Sequence, residues 1–288
     1  MVLGVIMTSV KELKSIDLNS FTIIGTGITV LISALISILI AIGIVITSPG
    51  NASISIYIIP TIIVGSFICG IYQYFSNGLF YNFLSKKFRN INVAFDNESL
   101  VKISTTETAT IIATITLIQV LLTYLVSVLI LPLVINATIQ TLMLGGQQLM
   151  AYSLYQFLLV LSQPITIITL IFGSFIITFV FVLIGAYIYN LIASKGRAIT
   201  LKLSKENEMT AIDSIEILNF AIASAIILGV LSLIFGIIMV ISGANIMTLI
   251  TDVCGGVVYG FIAAALTAAA YNLLAPKIGK LKIELIDL

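Results

Sequence analysis

The stretch at residues 271–285, Tyr-Asn-Leu-Leu-Ala-Pro-Lys-Ile-Gly-Lys-Leu-Lys-Ile-Glu-Leu, decides how this chain is read. It closes an apolar run and ends in alternation of apolar Leu281, Ile283 and Leu285 with Lys282 and Glu284, the period of a strand rather than a helix. Residues 81–95 and 189–203 align with it without a gap. Each begins Tyr-Asn (Tyr81-Asn82, Tyr189-Asn190, Tyr271-Asn272), carries a lysine six places on (Lys87, Lys195, Lys277), and finishes in alternating apolar positions. Upstream, Gly65-Ser66, Gly173-Ser174 and Gly255-Gly256 stand at matching distances before each tyrosine. The chain is therefore a threefold internal repeat.

Composition identifies the solvent in which the repeats fold. Hydrophobic residues make up 60% and charged residues 9% of the chain, and the mean hydropathy is +1.22, values of a polytopic membrane protein. Six apolar runs, 21–47, 56–84, 108–135, 165–193, 217–241 and 253–275, each exceed the ~20 residues that cross a hydrocarbon core. Two crossings per repeat follow.

Six crossings place alternate connections on opposite sides. The 13 Lys and Arg residues fall two before the first span, four between the second and third, four between the fourth and fifth, and three after the last. None remains for the other side, so both termini are expected to be cytoplasmic. Eleven of the 12 acidic residues share that side; the mixed charge describes a solvated juxtamembrane surface and not a nucleic-acid site. The first apolar run belongs to the first repeat and is read as a retained span rather than a cleaved signal.

Repeat 1 covers 1–98, repeat 2 covers 99–207 and repeat 3 covers 208–288, together one integrated membrane domain. Each opens with a lead-in ending at Ile16-Asp17, Ile103-Ser104 or Ile212-Asp213; Glu107 and Glu216, three places after Ser104 and Asp213, fit capping boxes. Exit strands are expected at 89–95, 197–203 and 279–285. The polar residues 96–99 and 204–207 read as hairpin connections, and the last strand pairs with the lead-in near residues 10–16 to close a ring. Repeat 2 alone has an outer insertion, 136–163, whose part 149–161 reads as an interfacial helix or an ordered loop. The fold class is an all-α polytopic membrane protein: six transmembrane helices as three two-helix repeats, pseudo-threefold about the membrane normal, with short β-hairpins on the cytoplasmic face.

Gly256, Gly260, Ala264 and Ala268 recur at four-residue steps, with Gly65, Ser66, Gly70, Gly173, Ser174 and Gly255 near equivalent places in the other repeats. Small residues let helices approach closely in lipid and place the second helices along the repeat axis. The three Tyr-Asn pairs have two readings. Convergent amides could coordinate an ion or a headgroup, or Asn could satisfy free carbonyls at a helix end while Tyr sits at the lipid boundary. Lys87, Lys195 and Lys277 are placed to touch anionic lipid phosphates. Asp252 reads as the cap of the last span. Asn51 and Asn136 head sequons in outer loops; Asn97 heads one inside. Cys69 and Cys254 lie within spans without metal spacing, and there is no histidine, so no metal or cofactor is expected.

The stretches 185–191 and 271–285, with Ile16-Asp17 and Ile212-Asp213 as openings, resemble a small two-helix transmembrane family known as a domain of unknown function in actinobacterial membrane proteins. The resemblance covers one repeat per copy, and its Gly-Gly pair before the exit strand is represented here by Gly279 alone. It implies the two-helix topology and a prokaryotic cell membrane, and carries no site residues.

The leading expectation is a non-enzymatic scaffold that presents its cytoplasmic face to membrane lipids or a protein partner. The alternative is a transporter or channel for a neutral or lipid-like solute along the repeat axis. Three two-helix repeats are also the layout of mitochondrial-type carriers, but their Pro-x-acidic-x-x-basic gate is missing: the residues two places after the five prolines are Asn51, Ile62, Val134, Thr166 and Ile278. With no charge pair or nucleophile–base set inside the spans, an enzyme is not expected.

Overall fold

The structure, a computed structural model, describes residues 9–88 and 90–288, with the side chain of Asn51 also outside the described set. Residues 1–8 of the first repeat and Arg89, where its exit strand was expected to start, therefore lie outside the described residues. The elements run β1 (Ser9–Ile16), α1 (Leu18–Thr47), α2 (Ile54–Leu84), β2 (Ile91–Asp96), β3 (Ser99–Ile103), α3 (Thr105–Leu144), α4 (Gln148–Leu161), α5 (Pro164–Ile192), β4 (Ile199–Glu206), β5 (Met209–Ile215), α6 (Ile217–Ile241), α7 (Ile246–Ile278) and β6 (Leu281–Asp287). All helices but α4 are long and apolar enough to cross a membrane, six in number among the described residues. The chain is a polytopic membrane protein by this measure.

Two compact units divide it: Met1–Thr108 with Ile184–Leu288, and Ala109–Leu183. The first contains all six strands, which pair antiparallel in sequence order and close as β6 meets β1 into a barrel. The registers repeat. Within each repeat the lead-in strand meets its own exit strand at Leu13↔Ile91, Leu100↔Ile199 and Ile212↔Leu281. Between repeats the pairs are Val93↔Ile103, Leu201↔Ile215 and Ile283↔Ile16. The first two of these belong to hairpins turning at Asn97 (φ 54°) and Asn207 (φ 59°), residues that tolerate the left-handed region. The third, β6 with β1, has the same register without a connecting turn.

The exit strands begin two residues later than the alternation suggested and run further. In repeat 2 a tight turn over Ala193–Arg197 closes the helix, with Gly196 at φ +80°; in repeat 3 Gly279 at φ +118° ends α7. The second hairpin turns at Asn207-Glu208, because β4 extends through Glu206. The opening of repeat 3 also needs correction: the residue equivalent to Ile16 and Ile103 is Ile215, and Glu216 precedes α6, while Asp213 lies inside β5. Of the expected caps, Asp17 accepts from Ser20 N (2.7 Å), Ser104 Oγ instead accepts from Asn92 N (3.0 Å), and Glu216 makes no capping bond. The last span starts at Asn245, which caps Met247 N at 3.0 Å, leaving Asp252 within α7.

Helices α1 and α2, and α6 and α7, pair closely in this unit, and α1 also packs on α7. Small residues set the approach. A Cβ on Gly70 would lie 3.2 Å from Thr26 Cα, and one on Gly260, its equivalent, 2.8 Å from Ser224 O and 3.0 Å from Ala225 Cα. Gly256 packs on Ser232 and Leu228, and Gly25 is covered by the Tyr74 ring, which meets Phe21 edge-on at 5.3 Å. Gly65 and Gly255 have no such neighbour, Gly173 meets only Thr169 of its own helix, and Ser66 and Ser174 bond their own helices. The small residues thus face the first helix of the same hairpin. The sequence reading had overlooked their counterparts on those first helices, Thr26 and Ala225, both buried. Cys69 and Cys254 are free and exposed.

In the second unit α3 continues through Asn136 to Leu144, about 60 Å of helix in all. The expected loop at 136 does not form, since the sequence stays apolar and no breaker follows Pro132 until Gly145-Gly146. Asn136 is therefore helical, and Asn51 lies in a short turn, Pro49–Asn51. Helix α4 folds back on α3, burying Ala151 against Ile135 and Ile139.

Replacing Gly260 with Val should lower thermal stability in detergent by about 1–3 kcal/mol through overpacking, whereas Gly65→Ala should leave it unchanged or raise it by up to about 1 kcal/mol. Calorimetry or a dye-based melt distinguishes the two; equal losses would contradict the packing described.

Candidate functional site: the junction of helices and barrel

Each lead-in strand contains a one-residue bulge two positions before its last isoleucine. Lys14, Val101 and Asp213 are the residues skipped by the register. A bulge interrupts the ladder and leaves backbone groups to be satisfied otherwise. The Tyr-Asn pairs satisfy them, with the same bonds to the lead-in strand in all three repeats.

Asn82 Oδ1 accepts from Ile16 N and its Nδ2 donates to Ile16 O, both at 2.8 Å. Asn190 does the same with Ile103 at 2.8 Å and 2.8 Å, and Asn272 with Ile215 at 2.8 Å and 2.8 Å. A carboxamide offers a donor and an acceptor side by side, as a peptide group does, so each asparagine stands in for a missing strand neighbour. One residue earlier in the helix, the tyrosine hydroxyl reaches the carbonyl just before the bulge. Tyr81 donates to Leu13 O at 2.5 Å, Tyr189 to Leu100 O and Tyr271 to Ile212 O. The last two hydroxyls also accept from the first exit-strand amide, Ile199 N at 3.3 Å and Leu281 N at 3.2 Å. The rings are buried. All three pairs thus bond the lead-in strand alike, whereas Lys87, Lys195 and Lys277 are exposed and join no ion pair among the described residues.

Ion pairs collect elsewhere. Every one among the described residues involves residues 280–287: Lys280 with Asp213 (2.6 Å) and Glu206 (3.4 Å), Lys282 with Glu206 (2.8 Å), Glu284 with Lys14 (2.8 Å) and Asp287 with Lys11 (2.9 Å). They flank β6, the strand that has no turn joining it to β1. Composition does not reveal this concentration; the signal is the density of both signs over residues 280–287. The partnering lysines hold these carboxyls below their ordinary range, Lys282 acting on Glu206, Lys280 and then Ser204 on Asp213, Lys14 and then Ser15 on Glu284, and Lys11 on Asp287. Lys14 and Lys280 are raised in turn by Glu284 and Asp213.

No protein-family model matches the chain, and no curated protein or solved structure was found similar to it. Among the described residues no group of His, Cys, Asp and Glu is placed to hold a metal ion.

Changing any one of Asn82, Asn190 or Asn272 to Leu should destabilise the protein by about 2–4 kcal/mol, because an amide and a carbonyl lose their partners together. Asn→Asp should not rescue it, since a carboxylate faces the isoleucine carbonyl. Melting temperature in detergent reads both, and an unchanged Asn→Asp variant would count against the paired bonds.

The seam has a pH signature. Folded-state carboxyl values below the unfolded ones mean that its stabilisation is present above the unfolded range and lost as pH falls through the folded values. The raised lysines act oppositely, their contribution ending only at strongly alkaline pH. Hydrogen exchange in β6 should accelerate on acidification before that in β2 and β3; simultaneous loss would speak against the seam.

Proposed function

We propose that this chain is a non-enzymatic membrane module of a prokaryotic cell membrane that holds a small β-barrel at the cytoplasmic surface as a docking platform for a protein partner or lipid headgroups. In this reading three two-helix repeats, copies of the two-helix unit that the sequence resembles, are related by rotation about the membrane normal. Both termini are cytoplasmic, since the described Lys and Arg residues belong to the barrel and its helix junctions. The observation that carries the reading is the use of all three Tyr-Asn pairs in fixing strands to helices. The polar groups best placed for a pathway are engaged in construction, and the polar surface left over is the outside of the barrel.

One feature favours the second reading, passage of a neutral or lipid-like solute. The Thr22 and Thr26 hydroxyls are buried without partners, and these two residues line, with Phe67 and Ile71, an apolar cavity of about 460 Å³. Solute flux in liposomes, abolished by Thr26→Val, would favour passage over docking.

For the platform, cysteines placed at Glu98 and Glu208 in a Cys69→Ser, Cys254→Ser background should react with impermeant maleimide only in inverted vesicles, while one at Gln147 should react only in right-side-out cells. Mild crosslinking through the barrel cysteines should then capture partner protein or lipid. Labelling of Glu98 and Gln147 from the same side would refute the topology.

A further inference from the structure

Beside the barrel, where β3 and β4 share only the pairs Ser99↔Thr200 and Leu100↔Ile199, a groove of about 470 Å³ opens between the strands and the helix ends. Asp96, Ser99, Ser194, Gly196, Thr200 and Asn219 line it. Its position is interfacial: Ser194 follows the last turn of α5, and Asn219 is in the first turn of α6. Leu191, Ile217 and Leu218, exposed on those same helix ends, offer apolar surface next to it.

We propose that this groove binds the headgroup of a membrane lipid in which a phosphate is followed by a primary ammonium, a phosphoethanolamine. Charge of both signs at the groove carries the choice: Asp96 in its lining, and two cations adjoining its Gly196 in sequence. Lys195 and Arg197 flank Gly196 at the helix end, both exposed and without an ion-pair partner among the described residues. Asp96, the last residue of β2, has no ion-pair partner among the described residues either, unlike the four carboxylates of the β6 seam; its side chain accepts from Asn97 Nδ2 at 3.3 Å. A phosphate at the membrane boundary meets the two cations. The ammonium beyond it meets the carboxylate, with the Ser99 and Thr200 hydroxyls as further acceptors. A trimethylated ammonium has no hydrogen to donate, and a glycerol headgroup has no charge for Asp96. The groove therefore discriminates among phospholipids by the end of the headgroup.

This inference rests on the cytoplasmic placement of the barrel under the proposed function. Its test is native mass spectrometry of the full chain released from nanodiscs containing equal phosphatidylethanolamine, phosphatidylcholine and phosphatidylglycerol. Retention of phosphatidylethanolamine should exceed that of the other two by roughly tenfold. Asp96→Asn should erase the preference over phosphatidylglycerol, and Lys195→Ala with Arg197→Ala should weaken all phospholipid retention. Lys86→Ala, at the corresponding exit of repeat 1, should change neither. Asn219→Leu, outside the barrel, serves as a second variant should Asp96→Asn melt early, and should reduce retention as well. Equal retention of the three lipids, an unaltered preference in folded Asp96→Asn, unaltered retention in folded Asn219→Leu, or equal competition by soluble phosphoethanolamine would overturn the proposal. Cysteine labelling reads the barrel's side independently, so lost lipid preference with intact labelling rejects the groove and leaves the platform standing.

Discussion

The pairing of three asparagine carboxamides with the last residue of three bulged strands is the constraint on which the architecture depends. A strand that ends where a membrane helix begins has a backbone amide and carbonyl that neither a neighbouring strand nor bulk water readily reaches, and near lipid an unsatisfied peptide group is costly. Asn82, Asn190 and Asn272 close that gap with paired bonds to Ile16, Ile103 and Ile215. Because each asparagine stands on the returning helix, the same bonds fix where that helix ends relative to the strand from which the hairpin left. Tyr81, Tyr189 and Tyr271 extend the junction by one helical residue, reaching past the bulge to the carbonyls of Leu13, Leu100 and Ile212.

A barrel assembled this way has one discontinuity. Two of its inter-repeat pairings are hairpins with an asparagine at the turn, and the third joins strands from opposite ends of the described chain. The register is nonetheless the same, so side chains supply what the covalent turn supplies elsewhere. Individual exposed ion pairs contribute little, about 0–1 kcal/mol, but here Lys280 and Glu206 each take part in two contacts, which links β4, β5 and β6 into a network. Lys14 and Asp213, the bulge residues of β1 and β5, belong to the same set of pairs. These two bulges thus serve twice, exposing a carbonyl to the tyrosine and carrying a charge to the neighbouring strand; Val101, the third, carries none.

Much of this was legible in sequence because the repeat carries its own punctuation. Tyr-Asn marks the returning helix, and the shift from helical to alternating periodicity marks the exit strand. Closure by the last strand was also readable, since three lead-ins and three exits leave one of each without a hairpin partner. The bulges were not readable, because a skipped residue leaves no compositional mark. That is why Ile212-Asp213 could be mistaken for the equivalent of Ile16-Asp17, when Ile215-Glu216 stands three residues on with the same apolar-acidic character. The end of α3 was hidden for the opposite reason: residues 133–144 continue the apolar pattern past any length a bilayer requires, and Asn136 alone does not stop a helix. The roles of Tyr and Asn stayed open in sequence because a helix-end carboxamide suits either a ligand or a backbone, and only the neighbouring strand decides between them.

The account turns on whether those strand-end amides are held by side chains. Hydrogen exchange followed by NMR on protein labelled with ¹⁵N-isoleucine, in nanodiscs, addresses this at Ile16, Ile103 and Ile215. All three amides should exchange as slowly as the interior amides of the barrel. Exchange at the rate of exposed turns at any of the three would contradict the account, because it would leave that strand end without the partner on which the junction is built.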